Sequence, residues 1–446
     1  MGLFSIDQMD KINKAAEQSN SALQPPKSSM KSSSVIDKLN EISKEVVEYF
    51  KDSTARLVTT KEELHEYVSR LIDFGIAGID TETTGLDRIK DTIVGASLYY
   101  PGESEIYIPM KHLVPIFDVP YKNQLSYQDV SSEFQRLADN NVKLVFANAD
   151  FDLAMIYKDL HVDLNKVCYF DVILAWRCLK ENELKNGLKE LYNKYVLKGK
   201  GDPKKFSDFF SPELFPYCKP EVAGLYAAND AKITYELYLF EIKYLDKMSP
   251  KCQKAHLERI ADLVWNVEIP LIPICQNMHR IGAFIDKDVA SVVQARYHEL
   301  ELTEKARLAE MVDGVLKEHV VNIQSSKVKQ PFFSGKDFNP KSPVHTKYLI
   351  YTVLNTPPDR DGKMSTDKDV LAELNIPVVN QILKVRSIGV LLSTFVDKMP
   401  NATTSDSRIH AQFKQIGANT GRLSSADPKK AYWGHKIRLT HGRAVA

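Results

Sequence analysis

Two textures of apolar and polar positions divide the chain. Between about residues 55 and 245, short apolar runs at Ile76–Ile79, Thr92–Tyr99, Glu105–Ile108 and Leu144–Phe146 predict strands. Apolar residues at helical spacing over Thr59–Leu71, Phe151–Tyr157, Val172–Leu179, Leu188–Tyr195 and Val222–Tyr238 predict helices, the first opened by a Thr60-x-x-Glu63 cap. Strands interleaved with helices predict an α/β sandwich around a mixed sheet. From Ser249-Pro250 to Pro400 the pattern is almost wholly helical: Cys252–His279, Asp288–Lys317, Pro343–Leu354, Asp367–Leu374 and Val378–Met399. The charged stretch 288–317 reads as a solvent-bridging or paired helix. Residues 16–34 are small, polar and rich in Pro and Ser, so 1–54 is expected to be a flexible leader.

Composition narrows the class. The 446 residues are 43 % hydrophobic and 26 % charged, which excludes wholesale disorder and allows two or three domains. No run of about 18 uninterrupted apolar residues and no secretory signal pattern is found, so no membrane partner is expected. The five cysteines (Cys168, Cys178, Cys218, Cys252, Cys275) never form Cys-x-x-Cys, which argues for a reducing, cytoplasmic compartment over a disulfide framework or zinc site. A net charge of +1 means that any surface for nucleic acid must be local.

Three acidic stretches carry the chemistry. Asp80 and Glu82 follow a predicted strand and, two apart, point to the same face. Asp152 sits where the run Leu144–Phe146 feeds a helix, although Asp150 or Asp152 there could equally be a helix cap. Tyr226 and Asp230 lie at i, i+4 on one helix face. Each alone is commonplace. Together, four carboxylates and a phenol at element ends suit two divalent cations, which prefer oxygen ligands and can clamp both oxygens of a phosphoryl displacement.

Asp80-Thr81-Glu82, Asn148-Ala149-x-Phe151-Asp152 and Tyr226-x-x-x-Asp230 resemble the three exonuclease motifs of the DnaQ-like superfamily, tyrosine subtype. The histidine subtype would place a His where Leu225 stands. The resemblance covers about 55–245 and implies a ribonuclease H-like 3′–5′ exonuclease fold. It implies that Asp80, Glu82 and Asp230 hold one Mg²⁺ or Mn²⁺ and that Asp80 reaches a second. It also implies that Asp152 acts through water and that Tyr226 orients the nucleophile. Leu86 would pack on the terminal base, with Asn148 and Phe151 also on the DNA side.

The second half adds a further resemblance. Glu268-Ile269-Pro270-Leu271, Met278-x-x-x-Gly282-x-x-Ile285-Asp286, Phe338-Asn339-Pro340-Lys341-Ser342-Pro343 and Gly362-Lys363-Met364-Ser365-Thr366-Asp367 are similar to the polymerase region of family A, DNA polymerase I-like enzymes. So are Arg408-Ile409-His410 and Thr420-Gly421-Arg422-Leu423-Ser424-Ser425; His279 departs from the family's usual acid. This implies a helical thumb and the start of a palm over 246–428. Primer-template contacts would come from Arg408, Thr420, Arg422, Ser424 and Ser425. Residues 401–446 carry eight Lys/Arg against two acids, which suits phosphates, although the part beyond Lys429 reads as a solvated tail. After Asp427 no acid remains, so the palm is expected to be truncated, polymerisation is not expected, and 429–446 matches nothing. The missing palm and fingers are then an expected partner. The absence of the usual 5′-nuclease stretch points to a viral source and a host cytoplasm. The rival readings are a ribonuclease D-like RNA 3′ exonuclease and a non-catalytic primer-template-binding fragment.

Overall fold

The computed structural model describes residues 32–183, 187–358, 362–415, 417–418, 421–426 and 437–438. They form two compact units. The first holds residues up to Leu86, Lys90–Val172 and Lys185–Lys243; the second holds Asp87–Ile89, Ile173–Leu184 and the residues from Tyr244 onward. Thr420 and almost all of the basic tail lie outside the described residues.

The first unit begins with a helix, α1 (Ser32–Tyr49), inside the stretch expected to be a flexible leader. Its apolar positions recur at helical spacing, and Leu39, Ile42 and Val46 are buried against Phe210, Phe215, Val222 and Tyr226. That stripe ties these residues to the unit, so the leader expectation does not hold for 32–49. β1 (Arg56–Leu57) leads into α2 (Lys61–Phe74). Thr60 and Glu63 form the expected reciprocal cap, and Gly75 ends α2 with φ +88°, a left-handed conformation that glycine adopts without strain.

There follow β2 (Ile76–Thr83), β3 (Ile93–Tyr99), β4 (Ile106–Pro109), α3 (Tyr127–Asp139), β5 (Lys143–Phe146), α4 (Ala149–Leu160), β6 (Cys168–Asp171) and α5 (Pro220–Leu245). α3 and β6 stand outside the elements expected from the pattern. The six strands make one mixed sheet in the order β1-β4-β3-β2-β5-β6. β2 is antiparallel to β3 and parallel to β5, so it is the strand where the sheet changes character.

Alternate residues of β2 sort the flanking helices. Thr81 meets Asp152 of α4 on one face. Gly78 meets α5 on the other: a Cβ there would lie 2.3 Å from the Ala231 carbonyl oxygen. The missing side chain lets α5 lie directly on the strand.

The second unit is mainly helical: α6 (Ile269–Ile281), β7 (Ala283–Phe284), α7 (Lys287–Glu318), α8 (Pro377–Leu391), β8 (Arg408–Ile409), β9 (Gln412–Lys414) and β10 (Ser424–Ala426). Leu308, Val312 and Leu316, in the C-terminal half of α7, pack with Phe332, Leu349, Ile350, Val379 and Ile382. The N-terminal half of α7 is mostly exposed, while its C-terminal half packs beside α8. Both parts of the expectation of a solvent-bridging or paired helix thus find a place, and the core role of 308–316 is added. The helical stretch 377–402 is long and apolar enough to cross a membrane by length and composition. Here Val378, Val379, Ile382 and Val385 form the core instead.

Candidate active site

β2 runs four residues past its expected end because pairing with β3 continues: Asp80 opposes Ser97 and Glu82 opposes Gly95. Both carboxylates therefore sit within a paired strand, on the face that α5 covers. β5 pairs with β2 only as far as Gly78. Beyond it lie the carboxyl ends of the two parallel strands, where α/β sheets commonly bind ligands.

α5 brings Asp230 to this end of β2. Ligand atoms of Asp80, Glu82 and Asp230 all lie within 4.8 Å of one another. Tyr226, one turn earlier on α5, is 3 % exposed and caged by Phe50, Phe206, Phe209 and Phe210, with ring centroids 5.5–6.4 Å away. Burial, reinforced by Glu82 and Asp80, pushes its phenol up, so it stays protonated.

Asp152 approaches β2 from the other face, through Thr81. The Thr81 N–H, left free on that edge by β5, donates to Asp152 Oδ1 at 3.1 Å, and the Thr81 hydroxyl donates to the same oxygen at 2.5 Å. The turn that delivers Asp152 is fixed by Asp171, which accepts from the Asn148 and Ala149 N–H groups at 3.3 and 2.7 Å while Asn148 adopts φ +75°. Asp152 thus stands beside the three-carboxylate group rather than within it.

The electrostatics are those of crowded, buried acids. Burial raises Asp80 to about 7, opposed by Lys189. Burial, then Asp80 and Asp152, holds Glu82 well above the usual range. Asp152 is raised by burial and by Asp80, against its hydrogen bonds from Thr81. Against the four carboxylates the described residues place the Lys189 ammonium, which pairs with Asp230 and is acted on by Asp80 and Glu82. Fully ionised, the group carries a net charge of −3, a donor set of hard oxygens short of positive charge; that fits divalent cations. Behind Glu82, the ring of Tyr107 lies across Gly95, where a Cβ would meet its hydroxyl at 2.1 Å. That hydroxyl is 2.7 Å from His112 Nε2.

Among the other expected contacts, Leu86 is 75 % exposed on the loop after β2. The loop is held by the Thr83 hydroxyl donating to Gly85 O at 2.7 Å and by Thr84 donating to Asp91 at 3.0 Å. Asn148 is exposed and Phe151 half-buried. In the second unit Arg408 donates to the carbonyls of Ile281 and Gly282 at 3.2 and 3.1 Å, which makes it a brace between β8 and the end of α6. His279, at the position where an acid was expected, bonds through Nδ1 to Ala411 O at 3.1 Å. Ser424 and Ser425 pair with Lys414 and Phe413, Ser425 is buried, and Arg422 is exposed.

Residues 55–241 match the family model for a 3′–5′ exonuclease, and residues 306–430 match that for DNA polymerase family A. The chain therefore carries a 3′–5′ exonuclease segment followed by a segment similar to family A DNA polymerases. It is 27 % identical to DNA polymerase I of Pseudomonas aeruginosa over 85 % of this chain and 38 % of that protein. It is 25 % identical to the DNA polymerase of Escherichia phage T5 over 83 % of this chain and 42 % of that one. The chain spans about two-fifths of the length of these relatives. The POL domain of Pol1 from M. smegmatis, solved with DNA primer-template and dNTP, shares its fold at a TM-score of 0.56 and 17 % identity, over 83 % of this chain and 55 % of that one.

Lys189 and Thr81 are the functional neighbours that the pattern left unnamed. Thr81 stands inside the acidic triplet, and its role needed the strand edge beyond Gly78. Lys189 lies in Leu188-Lys189-Glu190-Leu191, which reads as the solvated face of a helix.

Proposed function

We propose that the first unit removes nucleotides from single-stranded DNA 3′ ends by metal-assisted hydrolysis, the proofreading reaction of a replicative polymerase. The observation that carries this reading is the meeting of Asp80, Glu82 and Asp230 within 4.8 Å of one another. These three would hold two divalent cations, Mg²⁺ or Mn²⁺, with Asp152 joining through water. The cations would neutralise phosphate charge and supply a nucleophile at neutral pH. Tyr226 keeps its proton, so it orients the attacking water by hydrogen bond and leaves proton removal to another group. Leu86, Asn148 and Phe151 would receive the terminal nucleotides. Arg422, Thr420 and Ser424 would face primer-template, with Arg408 and Ser425 shaping that surface. The missing palm and fingers would complete the polymerase. The five free thiols suit a cytoplasm, that of a host if the source is viral.

The test is degradation of an end-labelled DNA oligomer by the full chain with Mg²⁺. Nucleoside monophosphates should appear from the 3′ end. The double variant Asp80→Ala, Glu82→Ala should be slower by about a thousandfold or more, since metal assistance contributes several kcal/mol. Undiminished degradation by that variant, or preference for an RNA oligomer of the same sequence, would overturn the reading.

A further inference from the structure

Lys189 is a buried lysine, 7 % exposed, in the middle of the acidic group. Its ammonium pairs with Asp230 and lies 4.7 Å from the centre of the Tyr226 ring, so it stands between the two residues that α5 contributes. Asp80 and Glu82 both act on it electrostatically. The backbone fixes its position. Tyr192 donates to Glu236 of α5, and Tyr195 stacks on Phe240 at 5.6 Å. Residues 189, 192 and 195 thus step along α5 beside 230, 236 and 240, and Leu191 between them is fully buried. A lysine held this way is part of the site rather than a solvated surface charge.

We infer that Lys189 is the internal counter-ion of the metal-free site, closing on Asp230 in place of a divalent cation and giving Asp230 up when one binds. This rests on the metal-binding reading above. An ammonium is a point charge with three donors and no acceptor; it can satisfy carboxylates that metal would otherwise bridge. A buried acidic group with no cation must take up protons to stay together, and a paired ammonium lets it keep charge. The same charge then competes with incoming metal. Lys189 is therefore a positioning residue, and removing it acts with opposite signs on the two states: the empty site is weakened while metal binding is tightened.

The experiment is calorimetric titration of Mn²⁺ into the full chain without DNA, beside its thermal unfolding without metal. Lys189→Met should lower the metal-free Tm and tighten Mn²⁺ binding on the order of tenfold, as loss of a neighbouring unit charge predicts. Lys189→Arg should keep wild-type affinity. A purely structural lysine would lower Tm and leave affinity unchanged or weaker, and that result overturns the inference. As a measurement independent of variant folding, acetylation of Lys189 in the wild-type chain should rise when Mn²⁺ is added; an unchanged rate contradicts the proposal. If wild type takes up no Mn²⁺ at all, the metal reading itself fails and this inference with it.

Discussion

The two units use polar side chains in opposite ways. In the first, acidic groups gather in surplus: Asp80, Glu82 and Asp230 meet within 4.8 Å of one another, and the Lys189 ammonium pairs with Asp230. In the second, several polar groups are matched. Arg386 donates to Pro340 O, Thr366 O and the Thr346 hydroxyl at 2.5, 3.0 and 2.8 Å. Glu304 accepts from Gln381 and Lys384, both at 2.7 Å, and Gln415 donates to Glu268 O and Oε2 at 2.8 Å. Satisfied polar groups hold a fold together, whereas a buried surplus of one sign marks a place built for something the chain does not itself supply.

Changes in the first unit should therefore cost activity more than stability, and changes in the second the reverse. The largest single effect is expected at Tyr226. Tyr226→Phe keeps the aromatic cage and removes only the hydroxyl. It should slow 3′-end degradation about a hundredfold, as loss of a hydrogen bond that positions the nucleophile does, with little change in Tm. Equal losses of rate and Tm would erase the contrast.

Arg386→Met comes next. It strands three acceptors that now share one guanidinium, so it should destabilise the second unit by about 2 kcal/mol in urea unfolding while degradation proceeds at the wild-type rate. A fall in cleavage without a fall in stability would contradict the account.

The smallest effect concerns His112, which burial pushes down from 6.5 to about 4. The folded state refuses a proton that the unfolded chain accepts below about pH 6.5. Stability is therefore present above that pH and lost as pH falls from 6.5 toward 4. Between pH 7 and 5.5 the loss should be about 1 kcal/mol. Hydrogen exchange of the β2–β4 amides should show this loss in wild type and a shallower one in His112→Gln; identical pH profiles would rule out the assignment.

The parts of the fold legible in the sequence are those with strict local rules. The Thr60–Glu63 cap, the runs of β3 and β4, and the i, i+4 spacing of Tyr226 and Asp230 depend on neighbours a few residues away, and each appears in place. The order of the acidic motifs was equally readable. What stayed hidden depends on contacts far apart in sequence. β2 extends to Thr83 because β3 pairs with it. α1 becomes helical against Phe215 and Val222, more than 160 residues away. β6 is four residues long and stands at the sheet edge, too short for alternation to declare it. Within the site, the carboxylates announce themselves by type. Lys189 does not, because a lysine in a short helix looks the same whether it meets solvent or Asp230. Arg408 shows the same limit: its charge suggests phosphate, and nothing in its neighbours in sequence announces the two carbonyls it also braces.

The central claim is that acids from β2 and α5 share one cation-binding spot. A crystal of the full chain soaked in Mn²⁺ tests it most directly. The account predicts anomalous density bounded by Asp80, Glu82 and Asp230. Ordered carboxylates with no Mn²⁺ between them, or Mn²⁺ bound elsewhere in the chain, would contradict it.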